Sequence, residues 1–340
     1  MTEHENFYYA QSPKGDKREM LEKDNAQMLS DAMDFGVLEG PSLEEVGGSS
    51  YYKRPTPFVK WVGGKRNLVH SILQNFPKKF NDYYEPFVGG GAVFFSISDR
   101  IRNAIISDNN LELILTYKTI QKNPQQLIEL LKVHQKNHSK DYYYKMRSLE
   151  LTKPIEIAAR FIYLNKTCYN GLYRVNKKGK FNVPMGRYKN PNIVQQENIL
   201  ACRNALQTVN ILYGDFERIK PREGDFIYCD PPYHPTNEIS FTEYTQQNFT
   251  EAEQARLRDY ITDLTKHGVY VMLSNSNTKF ILDLYKSKSF YKKVVYAPRY
   301  VNCKPGSRGD VEELIITNYP SDISCDKEPA QTILVDNCQK

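Results

Sequence analysis

Asp230, Pro231, Pro232 and Tyr233 close the apolar run Phe226-Ile227-Tyr228-Cys229, and these residue types in this order suit the activation of an aromatic amine. Such an amine is a poor nucleophile because its lone pair is delocalised into the ring. Two acceptors aimed at its hydrogens, the Asp230 carboxylate and a backbone carbonyl of the Pro231-Pro232 pair, concentrate the lone pair on nitrogen. The prolines fix φ and remove the backbone N–H groups that would compete for those acceptors. Tyr233 offers a flat face for stacking on a base, and a base has to leave its duplex to be reached in this way. A solvated Pro-Pro turn after a strand has the same composition, so a second motif is required.

Tyr83-Tyr84-Glu85-Pro86-Phe87-Val88 runs into Gly89-Gly90-Gly91 and then Ala92-Val93-Phe94-Phe95. An apolar stretch ending in glycines and opening a helix has the shape of a nucleotide-type cofactor turn, in which glycine permits φ > 0 and close approach of a ligand to the backbone. The helix N-terminus favours an anionic group such as the carboxylate of a methionine moiety. Farther on, Ile105-Ile106-Ser107 ends in Asp108, where an acid would accept hydrogen bonds from ribose hydroxyls. The phosphate-binding GxGxxG spacing is missing, which points away from a dinucleotide and towards S-adenosylmethionine. Upstream, Pro57-Phe58-Val59-Lys60-Trp61-Val62-Gly63-Gly64-Lys65-Arg66 carries the only tryptophan of the chain; alone it reads as a basic surface turn.

Taken in order, F-V-K-W-V-G-G-K-R, Y-E-P-F-V-G-G-G-A-V-F-F, R-F-I-Y-L-N-K-T-C-Y-N-G-L-Y-R-V-N and D-P-P-Y resemble the Dam-like, α-class DNA adenine-N6 methyltransferases, over roughly residues 57 to 319. The resemblance implies methyl transfer from S-adenosylmethionine to N6 of a flipped adenine. It places Lys60, Trp61 and Lys65 in a segment that closes over the cofactor, Glu85, Phe87, Gly89 and Gly91 in the glycine turn, and Asp108 on the ribose. Gly214-Asp215-Phe216 matches the lining of the cofactor's adenine pocket, so Asp215 and Phe216 join the cofactor set, with Asp230 beside them. Asp230, Pro231, Pro232 and Tyr233 match the catalytic motif. The middle glycine of G-G-G departs from many relatives and only adds freedom.

The formal charge of +6 hides a polarised chain. Residues 1–50 hold four basic and eleven acidic residues, whereas residues 151–200 hold nine Lys or Arg against two Glu. A cationic segment binds phosphates by counterion release. Val175-Asn176-Lys177-Lys178-Gly179-Lys180-Phe181-Asn182-Val183 reads as a β-hairpin with a basic tip, suited to a groove and its flanking phosphates. By resemblance, the Y-N-G-L-Y-R loop and Pro184 recognise GATC. Tyr169 would fill the space beside the flipped base, Asn170 hold phosphate or base, and Arg174 contact guanine bidentately. Leu172 and Pro184 would touch the thymine methyl and its neighbours, and Lys177, Lys178 and Arg187 complete the DNA-binding set.

Strand-like runs near 83–87, 103–107, 209–213, 225–229, 269–274, 292–297 and 312–318 alternate with helical stretches such as Ala92 to Arg100, Leu111 to His134 and Glu251 to Lys266. The alternation implies an α/β, doubly wound Rossmann-like sheet, the class I S-adenosylmethionine-dependent methyltransferase fold. A mostly helical target-recognition subdomain at 113–200, entered through a helix from Pro154 to Leu164, interrupts a catalytic domain at 51–112 and 201–320. Tyr142-Tyr143-Tyr144 reads as core of that subdomain. Ser274 and Asn275 are expected either to line the flipped-base pocket or to cap a turn, and Asn302 to Gly309 to form a basic loop near the site.

Residues 1–50 are expected to be a weakly ordered acidic extension with some helix between Lys17 and Met33, masking the basic cleft or binding a partner; 321–340 read as a tail. Six scattered cysteines, with no zinc spacing, imply free thiols and no metal. The chain has no signal peptide and no long apolar run, so a cytoplasmic, nucleoid-associated protein with no membrane partner is expected, monomeric or weakly dimeric, acting on double-stranded DNA, with a companion restriction endonuclease as a candidate partner. Three alternatives stay open: a different recognition sequence, a methyltransferase of RNA or a small amine, and a catalytically inactive DNA-binding regulator. The second has no need of the Y-N-G-L-x-R loop. The third has no need of Asp230, Tyr233, Lys60, Trp61 and the glycine turn together.

Overall fold

The computed structural model describes residues 53–236, 249–297 and 311–320. In chain order its elements are α1 (Val69–Gln74), β1 (Tyr83–Glu85), α2 (Ala92–Ile97), β2 (Ala104–Asp108), α3 (Leu111–Lys122), α4 (Pro124–Lys136), α5 (Lys140–Ser148), α6 (Pro154–Thr167), α7 (Gln196–Leu206), β3 (Val209–Tyr213), β4 (Phe226–Cys229), α8 (Glu251–Lys266), β5 (Tyr270–Ser276), α9 (Lys279–Leu284), β6 (Tyr291–Ala297) and β7 (Val311–Thr317). The α/β class expected from the alternation is the one observed.

The chain divides into two compact units. Among the described residues the first comprises 53–66 and Asp82–Lys220. Its strands lie in the order β3, β2, β1, all parallel, with Tyr83 opposite Ala104 and Ala104 opposite Val209. β1 stops at Glu85, before Pro86, which has no N–H for a ladder. Helices α3, α4 and α6 bury Leu113, Ile114, Leu127, Leu131, Ala158 and Ile162.

One helix was expected over Leu111 to His134, and two are found. The break is at Asn123–Pro124: proline cannot donate to the carbonyl four residues back and its ring clashes there, yet its φ suits the first position of the next helix. Pro154 opens α6 in the same way. The helix expected to reach Arg100 ends at Ile97, and α6 runs one turn beyond Leu164 to Thr167. Tyr143 is fully buried and its hydroxyl donates to the Val183 carbonyl at 2.9 Å, a core role as expected.

The second unit comprises Asn67–Asn81 and the described residues from Pro221 onward. β4 and β5 are parallel, and β7 runs antiparallel between β5 and β6. All four residues of β4 are buried, which explains an uninterrupted apolar run in place of alternation. The expected basic loop at 302–309, both tails, and Cys303, Cys325 and Cys338 lie outside the described residues.

Candidate active site

In the first unit the glycine turn is built around Asp108, the last residue of β2. Its carboxylate accepts the Gly89 N–H at 3.0 Å on one oxygen and the Asn110 N–H at 2.9 Å on the other. Burial raises its pKa to about 6 against the lowering pull of those backbone donors. A carboxylate has about four acceptor sites, more than its backbone donors fill, so the group can also accept from a ribose hydroxyl. The Gly89 carbonyl accepts from the buried Tyr117 hydroxyl at 3.0 Å, and Glu85, also buried, accepts from Tyr83 at 2.7 Å. Gly89 and Gly91 have φ of 47° and 73°. A Cβ on Gly89 would lie 2.5 Å from the Trp61 ring, and one on Gly91 would lie 2.5 Å from the Tyr117 hydroxyl. Both positions therefore need glycine for conformation and for room. Trp61 thus lies against the turn. Phe87 and Phe216 pack with ring centroids 5.6 Å apart. Asp215 caps a short turn by accepting from the Glu217 N–H, and the buried Lys65 ammonium donates to the Gly63 carbonyl at 2.6 Å.

The same unit carries the predicted DNA-reading residues, and one residue that the sequence reading passed over ties them to Lys60. Asn165, buried on α6, accepts the Lys60 N–H at 2.8 Å and donates to the carbonyls of Lys60 and Gly171 at 2.8 and 3.1 Å. Gly171, at φ 67°, leaves no space for a Cβ, which would sit 2.4 Å from Lys60 Cδ. Tyr173 stacks on Trp61 with centroids 5.5 Å apart. Asn165 stood inside the L-N-K-T-C-Y-N-G run that carried the resemblance, and its amide type within an apolar helix was the available signal.

Tyr169 and Asn170 are exposed, and Asn170 adopts a left-handed φ of 55°. The Tyr169 N–H donates to the Pro184 carbonyl at 2.9 Å, which sets the two expected DNA-contacting residues side by side. Leu172 is half-buried, while Lys177, Lys178, Pro184 and Arg187 are exposed. Arg174 is exposed and its Nε donates to Asn182 Oδ1 at 2.8 Å, which holds the plane of the guanidinium. The expected hairpin is closed by a single antiparallel bridge, Val175 to Phe181, in place of a ladder. Asn176 Oδ1 caps it by accepting from the Lys178 and Lys180 N–H groups, and local side-chain bonds of this kind compete with regular strand pairing.

In the second unit, Asp230 to Tyr233 leave the end of β4. The Pro232 carbonyl accepts from Gln254 Nε2 at 2.9 Å. The Tyr233 hydroxyl donates to Glu313 at 2.7 Å, and burial followed by the nearby carboxylates raises its pKa well above the ordinary value. His234 lies stacked on Phe280 with centroids 4.7 Å apart. Ser274 and Asn275 are fully buried inside β5, bound to the Tyr228 hydroxyl and to Gln254. They line no open surface and cap no helix, because the strand runs on to Ser276.

Cys168, Cys202 and Cys229 are buried; burial pushes the Cys168 and Cys202 thiols up to about 11 and about 12. Among the described residues no helix is long and apolar enough to cross a membrane.

Comparison with known proteins supplies the family. The profile of the D12 class N6 adenine-specific DNA methyltransferases matches residues 61–297. The chain is 45% identical over 274 residues to the type II methyltransferase M1.LlaDCHI of Lactococcus lactis subsp. cremoris, covering 77% of this chain and 95% of that protein. It is 43% identical over 288 residues to the type II methyltransferase M.MjaIII of Methanocaldococcus jannaschii, covering 77% and 99%. To the DNA adenine methylase of Escherichia coli K12 it is 31% identical over 279 residues, covering 80% and 98%. An ordered glycine turn, a buried acid after it and D-P-P-Y behind a buried strand thus sit in a chain that belongs to the D12 class of N6 adenine-specific DNA methyltransferases.

Proposed function

We propose that this chain methylates N6 of adenine in duplex GATC, acting on a base flipped out of the helix. The observation that carries the target reading is the Y-N-G-L-Y-R loop. It exposes Tyr169, Asn170 and Arg174, whose Nε is held by Asn182. An arginine presented in this way suits the O6/N7 edge of guanine. Lys177, Lys178 and Arg187 would meet phosphates, with Leu172 and Pro184 beside the thymine methyl. Tyr169 would fill the space next to the departed base.

S-adenosylmethionine supplies the methyl group on a sulfonium sulfur. Lys60, Trp61 and Lys65 would close over it, with Glu85, Phe87, Gly89 and Gly91 at the turn, Asp108 on the ribose, and Asp215 and Phe216 at the adenine. Asp230 and the Pro231 carbonyl would accept the two hydrogens of the target amine and localise its lone pair, with Tyr233 stacked on the base. No general base is required, since the amine becomes acidic once methylated and then releases its proton. A companion restriction endonuclease, a monomeric or weakly dimeric state and a nucleoid location belong to the same proposal.

The test is methyl transfer from labelled S-adenosylmethionine to two duplexes, one holding a single GATC and the other GTAC in its place, with Asp230→Ala as control. N6-methyladenine in the GATC duplex alone, abolished by the substitution, is the expected result. Equal transfer to both duplexes, or transfer only to an unrelated site in a degenerate library, would reject GATC.

A further inference from the structure

The two prolines of D-P-P-Y remove two backbone donors, so the backbone of this stretch is held by its carbonyls, by packing and by the N–H groups that follow. The second unit holds it in that way. Gln254 Nε2, in the first turn of α8, donates to the Pro232 carbonyl at 2.9 Å, and Gln254 Oε1 accepts from Asn275 Nδ2 at 3.1 Å. Asn275 Oδ1 accepts the His234 N–H at 3.2 Å, and Ser276 Oγ donates to the His234 carbonyl at 2.7 Å. Gln254, Asn275 and Ser276 are 1%, 0% and 4% exposed. Burying amides is costly unless they are bonded, and a Leu or Met of similar size would fill the same space. What the amides add is direction.

The direction has a specific use. The Pro231 and Pro232 carbonyls are separated by two torsions, φ and ψ of Pro232. The ring locks φ, and anchoring the Pro232 oxygen fixes ψ, so the aim of the Pro231 carbonyl follows. We infer that Gln254, oriented by Asn275, is a positioning residue that aims the Pro231 carbonyl at the substrate amine. The inference rests on the reading of Asp230 and that carbonyl as the amine's acceptors.

The experiment compares Gln254→Leu and Gln254→Glu with wild type and Asp230→Ala in the full chain. The substrate is unmethylated plasmid DNA, which does not presuppose the recognition sequence, with labelled S-adenosylmethionine. At pH 8 both Gln254 variants should lose about tenfold to a hundredfold in kcat, as misplacement by an ångström does, with KM for S-adenosylmethionine within about twofold of wild type. Gln254→Glu should recover as pH falls towards 6, because a protonated carboxyl again donates to the Pro232 carbonyl while its other oxygen accepts from Asn275. Gln254→Leu should not recover; its profile and that of wild type carry the contributions of Asp230, Tyr233, His234, Glu251 and Glu313, which face the same loop. If Gln254→Leu fails to fold, the pH rescue of Gln254→Glu, read beside its melting temperature, decides alone. Turnover of Gln254→Leu within twofold of wild type, or a Gln254→Glu profile with no gain at low pH, would overturn the inference. Undiminished turnover by Asp230→Ala would overturn the acceptor reading and this inference with it.

Discussion

Asp108 accepts the backbone N–H of Gly89 at 3.0 Å from the end of the neighbouring parallel strand. Burial holds its carboxyl at about 6. A carboxyl whose pKa rises on folding contributes stability that is complete below the ordinary value of 3.8 and lost as pH rises through about 6. Ligand-free protein therefore loses this contribution over that window. A ligand that donates hydroxyl hydrogens to the ionised group binds with the opposite trend. Affinity for S-adenosylhomocysteine, measured by calorimetry, should strengthen as pH rises through about 6. Asp108→Asn should bind roughly ten- to a hundredfold more weakly, the loss of a charge-assisted hydrogen bond, with no such pH trend. Unchanged binding by that variant would remove Asp108 from the cofactor set.

The three turn glycines should separate sharply. Gly89→Ala and Gly91→Ala meet a Cβ contact of 2.5 Å each and a positive φ, and should cost about 2–4 kcal/mol by chemical denaturation. Gly90→Ala has its nearest contact at 3.3 Å and a normal φ, and should cost under about 1 kcal/mol. Equal destabilisation at all three positions would contradict this packing.

On the DNA side, Arg174→Ala should lower discrimination at one base pair by about 1–3 kcal/mol. Lys177→Ala or Lys178→Ala should weaken binding to every sequence alike and flatten the salt dependence by about one unit of slope. Fluorescence anisotropy across a salt series on matched and mismatched duplexes separates the two behaviours.

Asn165→Leu strips the Lys60 N–H and the Lys60 and Gly171 carbonyls, the last of them in a buried bond, of their partner and should destabilise the protein by about 1–3 kcal/mol. A shift in melting temperature too small to measure would show that the Lys60 and Gly171 carbonyls find other donors.

Tyr233→Phe keeps the ring and loses the bond to Glu313. If the ring serves by stacking, kcat should stay within about tenfold of wild type while Tyr233→Ala falls much farther, stacking being worth about 1–3 kcal/mol per base. Single-turnover rates on one duplex compare the two.

The sequence by itself determined the strands, the glycine turn, the order of motifs and the family. The strands and the turn rest on local rules, namely apolar run length, glycine where φ is positive and proline without an N–H, and the family on the resemblance carried by the ordered motifs. The same rules read Leu111 to His134 as one helix, because apolar periodicity continues across Pro124 while the missing donor at that position ends the hydrogen-bond ladder.

Only the tertiary structure decided which polar side chains hold the motifs. Tyr117 reaches Gly89, Asn165 joins Lys60 to Gly171, and Gln254 with Asn275 grips the loop after Asp230. These partners lie far apart in the chain, and in sequence each is a single polar residue in a helix or strand. Which carbonyl a buried amide must satisfy is set by the packing around it, since a buried donor without a partner is too costly to keep. Ser274 and Asn275 make the point directly: a strand end rich in Ser and Asn reads as a pocket rim or a turn, and burial on β5 turns the same residues into internal braces.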